Sequence, residues 1–134
     1  RTFAIVGDAE CDEGAIWESA MFAGKNYLNN LVVIVDKNSL SVMDVIKEED
    51  SDSNLNSKFR AYNWNVKQID GHSFTQILSA LKFDPNINKP TVIIANTVKG
   101  KGFSFTENNN SWHHNVITEK MYLTAIDELK TNRV

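Results

Sequence analysis

Two apolar runs, each ending in an oxygen-bearing side chain and set about thirty residues apart, constrain this chain more than any other feature. Thr2-Phe3-Ala4-Ile5-Val6-Gly7 leads into Asp8, and Leu31-Val32-Val33-Ile34-Val35-Asp36-Lys37 leads into Asn38. Between them Ala15, Ile16, Ala20, Phe22, Ala23 and Tyr27 recur at helical spacing, which predicts a helix over residues 13–25. Strand, helix and strand at that length form a parallel unit, with both carboxyl ends on one edge of the sheet. Oxygens at two such tips suit a cation and its anionic ligand.

The rest of the chain continues the alternation. Residues 2–6, 31–35 and 91–95 are short, largely β-branched runs of the kind buried on both faces of a parallel sheet, with 2–6 expected as a central strand. A further strand is predicted at 65–69 and a short helix at 55–61. Ser73 can cap a helix through Ile77, Leu78 and Leu81. Thr118 can cap a last one whose Met121, Tyr122, Ala125, Ile126 and Leu129 face inward. Asp12 is the expected cap of the first helix. Residues 39–54, polar and acidic at Glu48-Glu49-Asp50, read as one long loop, and residues 99–115, rich in Gly and Asn, as another. The expected architecture is α/β, a parallel sheet flanked by helices on both faces.

Composition narrows the function classes. A chain of 134 residues is one domain, and its net charge of −3 without a Lys/Arg cluster argues against nucleic acid. One cysteine, Cys11, rules out an internal disulfide and fits a reducing, cytoplasmic compartment. No apolar stretch approaches the roughly 20 residues of a membrane span. The sequence opens at Arg1 and runs straight into a strand, which points to a fragment or a processed product.

Several residues carry candidate chemistry. Asp8 and Asn38 offer hard oxygens to Mg²⁺ or Ca²⁺, although Asp and Asn are also the usual residues of turns. Lys99-Gly100-Lys101-Gly102 looks like a small phosphate loop, cations for the charge and glycines for close backbone approach. His113 suits proton transfer near neutral pH, whereas His72 in Asp70-Gly71-His72 reads as part of a turn. Glu13 and Glu18 read as a solvated acidic helix start, and Trp17 beside them as core or interface, the interface favoured because aromatic residues are enriched there. No base is placed beside Cys11, so it is assigned no nucleophilic role.

The segment Gly7-Asp8-Ala9-Glu10-Cys11-Asp12-Glu13-Gly14 followed by Asp36-Lys37-Asn38-Ser39-Leu40 resembles the thiamine-diphosphate signature of the transketolase family. The likeness continues, in order, through Trp17-Glu18-Ser19-Ala20-Met21-Phe22-Ala23, Asp70-Gly71-His72, Thr97-Val98-Lys99-Gly100-Lys101-Gly102 and Ser111-Trp112-His113. It is nearest to the N-terminal subunit of split transketolases. The resemblance implies a thiamine-diphosphate-binding fold, with residues 1–134 as the later part of the diphosphate-binding domain. It implies Mg²⁺ (or Ca²⁺) held by Asp8, Asn38 and the Leu40 carbonyl, two diphosphate oxygens and a water completing the octahedron. Asp8, Ala9, Glu10, Asn38, Lys99 and His113 would contact the cofactor, His113 and Glu13 would serve catalysis, and Glu13 and Glu18 would join a network at a subunit interface.

The implied reaction is reversible transfer of a two-carbon ketol unit from a ketose phosphate to an aldose phosphate. It requires a separate pyrimidine-binding (C-terminal) subunit or domain in a hetero- or homo-oligomer, and the chain alone is expected to be inactive. Two alternatives stand beside it: an acyloin-forming or 2-oxoacid-decarboxylating subunit using the same cofactor, and a non-catalytic assembly subunit that keeps the fold. The chain departs from the family pattern at Ala9, Ser39 and His114, and in Asn115-Val116-Ile117, which differs from the Lys-Ala/Pro-Pro type of continuation. Ala9 and Ser39 stand where glycine is usual, and His114 replaces the glycine after the histidine. Ala9 is compatible with the motif only at negative φ.

Overall fold

The computed structural model describes residues 1–40 and 48–131, with residues 48–54 described by their backbone only. The chain forms two compact units, Arg1–Thr97 and Val98–Val134. In the first, strands β1 (Thr2–Gly7), β2 (Leu31–Lys37), β3 (Asn65–Asp70) and β4 (Thr91–Asn96) form one parallel sheet in the order β1-β2-β4-β3. Helices α1 (Gly14–Lys25), α2 (Glu48–Ala61) and α3 (Phe74–Leu81) connect them.

The two faces are covered by different helices, as the α/β pattern requires. On one face, Ala20 and Ala23 of α1 and Leu55 and Phe59 of α2 meet Val35, Val92 and Ile94. On the other, Ala80 of α3 meets Val32 and Ile93. Burying each large apolar side chain of this core stabilises the fold by about 1.5–3 kcal/mol. Trp64 anchors the corner after α2: its indole N–H donates to the Ala20 carbonyl at 2.8 Å, and its ring lies 5.3 Å from Phe59.

β1 is not central. Among the described residues it pairs only with β2, and Ile5 is 74% exposed. An apolar strand sequence demands cover on both faces, but it does not say that the cover comes from these residues. Phe74 and Leu78 of α3 are likewise exposed, beside an open apolar groove lined by Ile5, Ile34, Ile69, Ile77 and Ile93.

Three local expectations need correction. The helix before β3 starts at Glu48, not near Leu55, so the expected loop ends there, and residues 41–47 lie outside the described residues. Asp12 does not cap α1. It lies inside a short 3-10 turn, Ala9–Asp12, which Asp8 caps, and α1 follows Glu13, whose side chain makes no capping bond. The last helix, α4 (Glu119–Thr131), begins as expected, with the Thr118 hydroxyl accepting the Met121 N–H at 3.4 Å. Its Ala125 is buried, but Tyr122 and Leu129 are more than half exposed.

The second unit holds α4 and the Gly/Asn-rich segment, which is more ordered than a plain loop. It contains a 3-10 turn, Asn110–His114, and stacks Phe105 at 5.9 Å from Phe103 and 5.3 Å from Trp112. Glu128 of α4 accepts the Ser104 N–H at 2.9 Å and the Ser104 hydroxyl. Those bonds hold its carboxyl below the usual range. Among the described residues, no helix is long and apolar enough to cross a membrane.

Candidate functional site

The register of β1 on β2 sets Gly7 opposite Asp36, so Asp8 leaves its strand beside Lys37 and one residue from Asn38 on the neighbouring tip. Asp8 is only 7% exposed, and a carboxylate so enclosed needs partners. Its Oδ1 accepts the Ala9 N–H at 2.9 Å, and its Oδ2 accepts the Ser39 N–H at 2.7 Å. The second bond spans the two strand tips. Asn38 Oδ1 accepts the Leu40 N–H at 3.1 Å, while Asn38 Nδ2 donates to Asp36 Oδ2 at 3.3 Å. Asp8, on the β1 tip, is therefore bonded to the turn after β2 that carries Asn38, Ser39 and Leu40.

The backbone accounts for the departures from glycine differently at each position. Ala9 does not have positive φ, so its methyl is compatible with the 3-10 turn. Ser39 has φ +58°, in the left-handed region that costs a non-glycine residue about 1–2 kcal/mol. That conformation turns its N–H onto Asp8.

The remaining residues fall as follows. The Glu10 carboxylate turns back to accept the Gly7 N–H at 2.6 Å. Glu13 and Glu18 are exposed, whereas Trp17 is half-buried against Phe59 and donates its indole N–H to the Cys11 carbonyl at 2.6 Å. Trp17 thus packs against the core and keeps part of its surface exposed. Cys11 is buried, and its thiol is pushed up to about 11, first by loss of hydration and then by the carboxylates of Asp8, Asp12 and Glu10. It is a poor nucleophile. His72 sits in the turn after β3, its N–H bound to Asp70 Oδ1 at 2.9 Å.

In the second unit, Lys99 Nζ lies 3.2 Å from His113 Nδ1. Lys has only donors, so Nδ1 accepts and a neutral His113 carries its proton on Nε2. The imidazole is held below its ordinary 6.5, first by partial loss of hydration, then by the Lys99 ammonium and by His114. Protonation therefore opposes the folded arrangement, and this group's contribution to stability grows as pH rises through the window up to 6.5. Lys99→Met should raise the His113 value toward the ordinary one in an imidazole ¹H–¹⁵N NMR titration; an unchanged midpoint would show that the ammonium does not act on it.

The phosphate-loop reading of residues 99–102 is only partly reflected in the geometry. Lys101 is paired with Glu107 at 3.4 Å. Gly100, at φ +72°, is required by the loop's own backbone, because a β-carbon there would stand 2.3 Å from the Thr106 carbonyl oxygen.

The donor set at the β1 and β2 tips is a carboxylate, an amide oxygen and a backbone carbonyl, all hard oxygens suited to Mg²⁺ or Ca²⁺. Among the described residues no group of three or more His, Cys, Asp or Glu could hold a metal unaided. The set fits a cation that arrives with ligand oxygens of its own, as a metal–diphosphate pair does. Asp36 is the site residue that sequence reasoning passed over. Its carboxylate meets the Asn38 amide and the Thr97 hydroxyl beyond β4. The available signal was an acidic residue ending an otherwise apolar strand.

Residues 1–130 match the family model of the transketolase thiamine diphosphate binding domain. The chain belongs to the transketolase family. It is 40% identical over 129 residues to the 6-deoxy-6-sulfo-D-fructose transketolase subunit SqwG of Clostridium sp. (strain MSTE9), covering 96% of this chain and 47% of that protein. It is 34% identical over 130 residues to an apulose-4-phosphate transketolase subunit of Phocaeicola vulgatus, covering 96% of this chain and 46% of that one. The crystal structure of Campylobacter jejuni transketolase superposes with a TM-score of 0.86 at 27% identity, over 96% of this chain and 20% of that chain. The chain thus spans about half the length of the subunit relatives it matches. The family's thiamine-diphosphate-binding fold accounts for the parallel sheet and its paired tips.

Proposed function

We propose that this chain is the later part of the diphosphate-binding domain of a split transketolase, acting with a separate pyrimidine-binding subunit in the cytoplasm. Asp8, Asn38 and the Leu40 carbonyl hold Mg²⁺, with Ca²⁺ as a substitute, and through it the diphosphate of thiamine diphosphate. The observation that carries this reading is the bond from Ser39 N–H to Asp8 Oδ2 at 2.7 Å, which joins the two strand tips into one cradle. Ala9 and Glu10 complete the turn around it, and Lys99 and His113 are the cofactor residues of the second unit. With Lys99 on Nδ1, His113 offers its Nε2–H as a donor to phosphate or substrate oxygen. Glu13, exposed at the start of α1, is available to an interface network.

Thiamine diphosphate, when bound, supplies the means to stabilise a carbanion at a former carbonyl carbon. The proposed reaction is transfer of a two-carbon ketol unit between sugar phosphates, and the chain without its partner is inactive. The full-length protein, assembled with the partner subunit, should convert xylulose 5-phosphate plus ribose 5-phosphate, or a donor of the kind named for its relatives, 6-deoxy-6-sulfofructose or apulose 4-phosphate. Product analysis by mass spectrometry checks this. Turnover of pyruvate alone would shift the reading to decarboxylation, and absence of any turnover with tight assembly would favour a structural subunit.

A further inference from the structure

Three strand tips of the first unit meet on Asp36. Its backbone carbonyl accepts the Asp8 N–H at 3.1 Å, at the end of β1. Its Oδ2 accepts the Asn38 amide at 3.3 Å, and its Oδ1 accepts the hydroxyl of Thr97, the residue after β4. The side chain is half-buried, so these bonds replace lost hydration.

The consequence lies in the Asn38 amide. Its two ends are nearly the same size, and nothing steric decides which one faces a given side. An ionised carboxylate accepts only, so Asp36 takes the –NH₂ end. The oxygen is then directed to the turn that carries the Leu40 N–H, at 3.1 Å, and the Ser39 N–H that holds Asp8. An amide presented the other way round would offer a cation two N–H groups and no lone pair.

We propose that Asp36 is a positioning residue for the cation site: it holds the Asn38 amide with its oxygen toward the metal and ties that orientation to the tip of β4. The inference rests on the reading of Asp8 and Asn38 as ligands of the metal bound to thiamine diphosphate. Outer partners that orient a ligand typically change metal affinity by roughly 10- to 100-fold.

The test uses the full-length protein with its partner subunit, titrated calorimetrically with thiamine diphosphate at a series of Mg²⁺ concentrations, together with melting of the cofactor-free protein. Asp36→Ala should weaken Mg²⁺-dependent binding by roughly 10- to 100-fold. Asn38→Asp should also weaken it, because it sets two carboxylates against each other. Combining Asn38→Asp with Asp36→Asn reverses the hydrogen bond, the amide at 36 donating to the carboxylate at 38, and should recover most of the loss. A purely structural role would lower the melting temperature of the cofactor-free protein and leave the Mg²⁺ dependence as it was. Wild-type affinity in Asp36→Ala, or no recovery in the swap, overturns the proposal. Failure of the wild-type protein to bind thiamine diphosphate in a Mg²⁺-dependent manner instead removes the underlying reading of the site, and this proposal with it.

Discussion

Asp8→Ala should lower Mg²⁺-dependent affinity for thiamine diphosphate in the assembled protein by about 100-fold or more, the upper end of the effect of outer-shell changes, because the carboxylate proposed as a direct ligand is lost. The same substitution removes the cap of the 3-10 turn and frees the Ser39 N–H, two bonds worth together about 1–2 kcal/mol of stability. Asp8→Asn loses the charge but keeps one acceptor oxygen, so it can hold only one of the two N–H groups while its –NH₂ faces the other donor. There the melting temperature of the cofactor-free protein should fall with or without Mg²⁺, whereas the Mg²⁺-dependent part of cofactor affinity should be at least about tenfold weaker, since a carboxylate is the stronger hard-oxygen ligand. Calorimetric titration of thiamine diphosphate with and without Mg²⁺ measures the first effect, and thermal melting without cofactor the second. If Asp8→Asn binds as wild type does, the carboxylate serves the turn and not a cation.

The neighbouring strand tips that carry Asp8 and Asn38 were legible in the sequence. β-branched runs closed by an oxygen donor mark strand ends, and a helix of twelve residues between two of them sets the strands side by side in parallel. The 3.6-residue period of the helix and the continuous apolar runs on either side of it therefore place Asp8 and Asn38 on neighbouring tips without any knowledge of side-chain contacts. What was not legible depends on contacts between elements far apart in sequence. Asp36 works through Thr97, sixty-one residues away, and no periodicity signals that bond. The start of α2 was missed because residues 48–54 lack an apolar stripe, although Glu48, Glu49 and Asp50 suit the positive end of a helix dipole. The edge position of β1 was missed because hydrophobicity reports that a face must be covered, and not by what. In the second unit, the Lys-Gly-Lys-Gly pattern pointed to phosphate, while half of it is occupied by local needs: Gly100 by the Thr106 carbonyl and Lys101 by Glu107.

The other large effect is expected at Gly24, near the end of α1. Helix propensity alone predicts that Gly24→Ala would stabilise the protein by about 1 kcal/mol. Packing predicts the opposite. A β-carbon at this position would stand 1.7 Å from the Tyr62 carbonyl oxygen and 3.0 Å from its carbon, and both are backbone atoms that no rotamer change can move. The segment they belong to is held in place, since the Trp64 indole binds Ala20 at 2.8 Å and the Trp64 N–H binds the Phe59 carbonyl at 3.1 Å. Relief therefore requires α1 to move off the chain that leads from α2 into β3. Overpacking of this severity costs about 3 kcal/mol or more, which outweighs the propensity term. In a domain of this size the loss lowers the melting temperature by about 10 °C. Gly14, at the other end of the same helix, supplies the control: a β-carbon there meets nothing within 4 Å, so Gly14→Ala should raise stability by up to about 1 kcal/mol. Opposite signs for the two substitutions in one denaturant series would establish that close approach, and not backbone freedom, selects glycine at position 24. A neutral or stabilising Gly24→Ala would mean that α1 does not sit as close to Tyr62 in solution as the fold places it. The cradle at the strand tips would then rest on a looser scaffold, since α1 leads directly out of the turn that Asp8 caps.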